Sequence, residues 1–193
     1  MPVAPATAPV RRLTEAELNR TLRDLFPEVD VPFVPLSDGE GKGFDGDVAR
    51  QTPSDLAVEQ LRTGANAVSA AAIQRKDVVL PREPSPGDVD DERAAAVEFF
   101  EAFAPRALRR PLLDTERADY LALFDTAHAA DNFDVALELL IQALLQSPSF
   151  AYRVEFGAGF VDVAGGVAVG PYEMALRFSY FLWGTMFDDR LFV

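Results

Sequence analysis

The sequence contains no cysteine. Disulfides, thiolate catalysis, zinc fingers and covalent attachment of c-type haem are therefore excluded within this chain, although the compartment is left open. Long apolar runs are missing too: none reaches the ~18–20 residues needed to cross a bilayer. The first ten residues, MPVAPATAPV, have neither a basic n-region nor an apolar h-region, so they form no signal peptide as they stand. Residues 1–10 read as an Ala/Pro linker. Positive charge is scarce. With 18 Lys and Arg against 31 Asp and Glu the net charge is −13, and a nucleic-acid partner would need a clustered basic surface. The one basic cluster is Arg106, Arg109 and Arg110, in PRALRRPL. It reads as a helix end where cations meet the dipole and nearby acids, with an anion site as the other reading.

Apolar bulk is abundant, at 49% of residues with 15 Phe, enough for one well-buried domain. The stretch NFDVALELLIQALLQSPSFAYRVEFG, residues 132–157, organises it. From Asp134 to Gln146 the polar residues fall only at Asp134, Glu138, Gln142 and Gln146. That spacing draws one narrow wettable line down a helix that is otherwise Val, Ala, Leu and Ile. Such a helix exposes too much apolar area to stand at an edge, so it is expected at the centre of a helical bundle. Pro148 stops it.

Around this centre the sequence predicts an all-α protein of about six helices. A capping box, Thr14-Glu15-Ala16-Glu17, opens the first helix, with Leu18, Leu22, Leu25 and Phe26 on its apolar face. Residues 32–48 are rich in Pro, Gly and Asp and read as loop. Thr52 and Pro53 are expected to open the second helix, with Val58, Leu61, Ala65, Val68 and Ala72 as its buried stripe. Its small residues would admit a close neighbour. Residues 80–91 carry Pro81, Pro84, Pro86 and Gly87 and mark the internal boundary. A third helix over about 91–104 is expected to kink or end at Pro105, and Asp114 to cap a fourth. Alternation about Gly165-Gly166 suggests a small β-hairpin near 161–169. The last helix, after Gly170-Pro171, is apolar on nearly every side. A new helix then begins at Asp188 just before Val193, and so we expect the chain to be the N-terminal part of a longer protein.

Candidate chemistry is sparse. His128, the sole histidine, sits near a helix C-terminus, where an imidazolium is favoured, with no nucleophile or second ligand near it in sequence. It is a candidate for proton transfer or for a structural role, and Glu138 and Arg153 are the other weak catalytic candidates. Asp38, Glu40, Asp45 and Asp47 could offer oxygen ligands to a cation, although the loop lacks the EF-hand pattern. The loop glycines do not follow a strand into a helix, which argues against a phosphate cradle.

Three segments carry a family resemblance. RRLTEAELNRTLRDLF with GFDGDVARQTPSDLAVEQL resembles the third of the planctomycete PSD domains of unknown function. FAPRALRRPLLDTERADYLALFDTA with LELLIQALLQSPSFAYRVE is similar to the fifth, and YEMALRFSYFLWGTMFDDRL resembles the opening of the fourth. The corresponding segments are 11–79, 92–157 and 170–193. Phe187 departs from the pattern, standing where the family usually has proline. The resemblance implies a large exported protein of planctomycetes, myxobacteria or related bacteria, in the periplasm or at the cell surface and associated with c-type cytochromes. This chain has no Cys-x-x-Cys-His, so any haem c would lie in another part of the protein or in a partner.

The leading expectation is a scaffold or interaction module, with no chemistry of its own, that contacts the remaining domains of the same protein and a c-type cytochrome. On that view Asn19, Arg23, Arg110, Arg153 and Arg177 make buried or interfacial polar contacts. The rival expectation is a redox or hydrolytic enzyme whose site is completed elsewhere in the protein. A third is a polysaccharide- or surface-binding module using exposed Tyr and Trp.

Overall fold

Helix α6, Phe133–Gln146, is the element the others surround. In the computed structural model the described residues are 10–37, 54–153 and 169–187. Asn132 caps α6 by accepting the Val135 amide at 3.1 Å, and Asp134 meets the positive end of the dipole. Phe133, Ala136, Leu137, Leu140, Ile141, Leu144 and Leu145 are buried, so the apolar face does what its spacing predicts. Asp134, Glu138 and Gln142 are half-buried and Gln146 is exposed. The wettable strip is wider than four polar residues, because Leu139 beside Glu138 is 39% exposed. Ser147 is extended, as a residue before proline must be, and its hydroxyl accepts the Phe150 amide to start a single turn, α7 (Pro148–Ala151).

Helices α2 (Asp55–Gln74) and α5 (Asp114–Ala130) pack along α6, with α4 (Val89–Leu108) joining them. Helix α1 (Glu15–Leu25) lies against α4. The short α3 (Lys76–Val79) and the outlying α8 (Pro171–Leu182) complete the set. Among the described residues there are thus six full helices and two single turns, an all-α bundle. One apolar core takes residues from both sides of 80–91: Leu18, Val68, Phe100, Ile141 and Tyr180 belong to it together. The only sheet among the described residues is two residues wide. In it β1 (Arg11–Arg12) pairs antiparallel with β2 (Tyr152–Arg153), extended by the Leu13 amide donating to the Ala151 carbonyl at 2.9 Å. Residues 161–168 of the expected hairpin lie outside the described residues.

Three local expectations are corrected. Helix α2 is capped by Ser54, whose hydroxyl accepts the Ala57 amide, so the buried stripe includes Ala57 and leaves Val58 57% exposed; Thr52 and Pro53 lie outside the described residues. Helix α4 runs through Pro105 to Leu108. The ring falls in the last turn, where only one helical bond is lost, and burial of Phe103, Ala104, Ala107 and Leu108 holds the helix on both sides of it. Helix α5 begins at Asp114 itself, and the cap is made by Glu116, which accepts the Leu113 amide at 3.1 Å.

The close neighbour that the small residues of α2 admit is a loop residue. A Cβ on Gly64 would stand 2.3 Å from Val34 Cγ1. Val34 cannot withdraw easily, because Asn19 bonds both its backbone groups at 2.8 Å, as a neighbouring strand would. Gly64→Ala should therefore cost about 1–3 kcal/mol by overpacking, despite alanine's better helix propensity. Val34→Ala should recover part of that loss in the double variant, read by urea unfolding. A stable Gly64→Ala single variant would show that the loop yields.

Candidate functional site

The polar groups converge where β1, β2, the end of α4 and α8 meet. The organising residue is Arg109. Helix α4 must end before Pro111, and no glycine is present to turn it. Arg109 takes the left-handed conformation instead, at φ 59°, the one non-glycine residue with positive φ among those described. Its amide reaches the Arg106 carbonyl at 3.2 Å and the Arg110 amide reaches the Pro105 carbonyl at 3.1 Å, which is a Schellman closure. The Arg109 side chain is 2% exposed. Its Nη2 donates to the carbonyls of Ser149, Phe150 and Tyr152 at 2.9, 2.7 and 3.1 Å, satisfying the last turn of the α6–α7 segment and the start of β2. The guanidinium lies 5.6 Å from the Phe150 ring and 6.0 Å from the Tyr180 ring.

Tyr180, from α8, is the meeting point. Its hydroxyl bonds Thr21 of α1 at 2.8 Å, and Arg153 lies over its ring at 5.1 Å. Burial pushes the phenol up, opposed by the Arg109 charge and the Thr21 bond. Arg11 and Arg153 face each other across the sheet and approach Glu17 Oε1 at 3.2 and 3.9 Å. Arg12, 1% exposed, donates to the Ser37 carbonyl at 3.0 Å. Beside the cluster Arg110 forks onto Glu116 at 2.8 and 2.6 Å and reaches Ser149 Oγ at 3.2 Å. The Arg110 bond holds the Glu116 carboxyl below the ordinary glutamate range.

The residues singled out in the sequence are not gathered here. His128 Nε2 bonds Glu92 Oε2 at 2.7 Å, beside the rings of Phe124 and Phe133, and joins α5 to α4. Glu138 accepts from Gln142 at 3.0 Å, one turn along α6. Arg153 alone of the three belongs to the cluster, and no hydrogen bond or ion pair joins any two of them. Asn19 and Arg110 are interfacial as expected, whereas Arg23 and Arg177 are exposed. Asp38, Glu40, Asp45 and Asp47 lie outside the described residues. Among the described residues no three His, Asp or Glu side chains are grouped to hold a metal, and no helix is long and apolar enough to cross a membrane.

Two hollows adjoin these elements. One, of about 180 Å³, lies between Arg109, Arg110, Tyr152 and the start of α8 at Tyr172. The other, of about 510 Å³, is lined by Phe26, Val79, Phe99 and Phe103 together with Glu28, Glu101 and Arg106. Neither contains His128, Glu138 or Arg153.

The arginines that build the cluster fall within two family matches. Residues 11–74 match the model of PSD3, described as a protein of unknown function (DUF1587), and residues 95–155 that of PSD5, described in the same words (DUF1595). The chain carries a PSD3 segment followed by a PSD5 segment. No curated protein and no solved structure matches it. The sheet and the Arg109–Tyr180–Thr21 chain join the PSD3 segment to the PSD5 segment, so the cluster is the seam of the pair.

Arg109→Ala should lower stability by on the order of 3 kcal/mol in urea unfolding, since it strands buried carbonyls. Arg109→Gly, which relieves the left-handed strain, should be the milder variant by about 1 kcal/mol; a glycine variant no milder than the alanine one would remove that strain from the account. A depressed carboxyl adds stability only while it is ionised. The advantage of the parent over Glu116→Gln should thus be present at pH 7 and vanish as pH falls below about 4, the ordinary glutamate range. A gap independent of pH would remove the ion pair from the account.

Proposed function

We propose that this PSD3–PSD5 chain is a scaffold and interaction module, with no chemistry of its own, in an exported protein associated with c-type cytochromes. The observation that carries it is the use made of the polar motif residues. Arg109, Arg110 and Asn19 spend their hydrogen bonds on backbone carbonyls, on a capping carboxylate and on a pinned loop, each tying one element to another. His128 is tied to Glu92 in the same manner. Groups held this way fix the geometry of a platform. Catalytic groups, by contrast, converge on a space where a reacting atom can sit. The resemblance to PSD proteins supports the extracytoplasmic, cytochrome-rich setting, and partners are then the other domains of the protein and a haem c protein.

The full open reading frame, tagged and produced in its own host, tests this. It should fractionate outside the cytoplasm and co-purify with a protein that stains for covalent haem. A cytoplasmic location would overturn the setting. A turnover abolished by His128→Ala, Glu138→Gln or Arg153→Gln in a variant that still folds would overturn the scaffold reading in favour of an enzyme.

A further inference from the structure

Arg11 and Arg153 stand directly opposite each other in the sheet. Like charges in that position repel, and here one carboxylate oxygen serves both, Glu17 Oε1, at 3.2 and 3.9 Å. The second oxygen, Oε2, is occupied by the Thr14 amide at 2.8 Å in the capping box. Arg109 adds a third positive charge behind the Tyr180 ring. Arg153 makes no hydrogen bond with any described residue, although a guanidinium has five donors. Arg11 Nε is buried with no acceptor among the described residues, as are Arg12 Nε and Arg109 Nε and Nη1, so the donors that Arg11 can turn to solvent are its terminal nitrogens. Burial, and after it the charges of Arg11 and Arg109, work against the Arg153 cation, with Glu17 opposing them. The pair still meets solvent: the Arg11 side chain is 35% exposed and that of Arg153 12%. Two cations held together with one shared anion leave net positive charge and planar donors at the solvent edge of the sheet.

We propose that Arg11 and Arg153 bind a small oxyanion, a carboxylate or phosphate group that is free or carried on a ligand, on the solvent side of the pair. A fork from each guanidinium suits two or more oxygens of one anion. Binding would neutralise the charge that Glu17 leaves over and would fasten β1 of the PSD3 segment to β2 of the PSD5 segment. The site does not depend on the scaffold reading, since it follows from the register and the charge count alone.

Thermal unfolding of the full chain, titrated with sodium phosphate and separately with sodium acetate at ionic strength held constant by chloride, tests it. A rise in Tm that sets in near the Kd and then grows with the logarithm of the anion concentration is expected with at least one of them, and the tighter binder tells a tetrahedral from a planar ligand. Arg153→Gln and Arg11→Gln should each weaken that binding at least tenfold. Arg93→Gln, which removes an exposed partner of Asp125, should leave it unchanged. If Arg153→Gln fails to fold by circular dichroism, Arg11→Gln at its more exposed position decides. A Tm that neither anion raises above the chloride control, or a rise that Arg11→Gln retains, overturns the site.

Discussion

A buried arginine in a left-handed turn holds this molecule's elements in register. Glycine is the usual residue where a helix ends in that conformation, and any other residue costs about 1–2 kcal/mol. Burying a guanidinium costs several kcal/mol more unless it is well bonded. Arg109 lies there with one nitrogen serving three carbonyls past the end of α6, those of Ser149 and Phe150 in the turn α7 and that of Tyr152 at the start of β2. Charge-assisted bonds of this kind contribute about 1.5–3 kcal/mol each, and the flanking rings add to them. Nη2 shares two hydrogens among the three carbonyls, while Nε and Nη1 are buried without an acceptor among the described residues, so the joint carries a cost of its own. The end of α4 is locked to the end of α6–α7, and through Tyr180 to α8 and α1.

The lock makes one body of two family segments. Helix α6, in the PSD5 segment, lays its apolar face against α2 of the PSD3 segment as well as against α5 of its own. Without α2, part of the apolar surface of α6, Leu145 among it, would face water, at about 25 cal/mol per Å². Residues 80–91 therefore separate two sequence families without separating two cores. The edge pairing of β1 with β2 closes the same unit from the other end of the chain.

What could be read from the sequence follows the range of the physics behind it. The four-residue spacing of Asp134, Glu138, Gln142 and Gln146 is a local signal repeated over three turns, and it located α6 to within a residue. The capping box at Thr14 is local too, and both of its bonds are present. Single-residue rules fared worse. The rule that proline kinks or ends a helix at Pro105 meets tertiary burial that carries α4 on to Leu108, and Ser54 caps α2 where Thr52 is the expected cap, because either hydroxyl satisfies the same local pattern. The arginine cluster was not legible as a cluster: a sheet two residues wide has no period to detect, and Arg11 and Arg153 are far apart in sequence. Arg109 did leave a trace. PRALRRPL ends a helix before Pro111 with no glycine available, so some larger residue had to accept the left-handed turn.

The distribution of ion pairs bears on where the molecule can tolerate change. Arg62–Glu59, Arg75–Asp77 and Arg93–Asp125 are exposed, well-formed pairs, and pairs of that kind contribute little. The buried or half-buried groups at the seam, Arg12, Arg109, Arg110 and Asn19, bond chiefly to backbone carbonyls, a capping carboxylate and a loop. A carbonyl cannot be substituted away, so the joints made by Arg109 and Asn19 depend on one side chain each. Change on the outer faces of α2, α4 and α5 is therefore cheap, whereas change at any of the joints alters how one element sits on another. A surface free to vary on a frame that is not is the arrangement expected of a module that presents different faces to different neighbours.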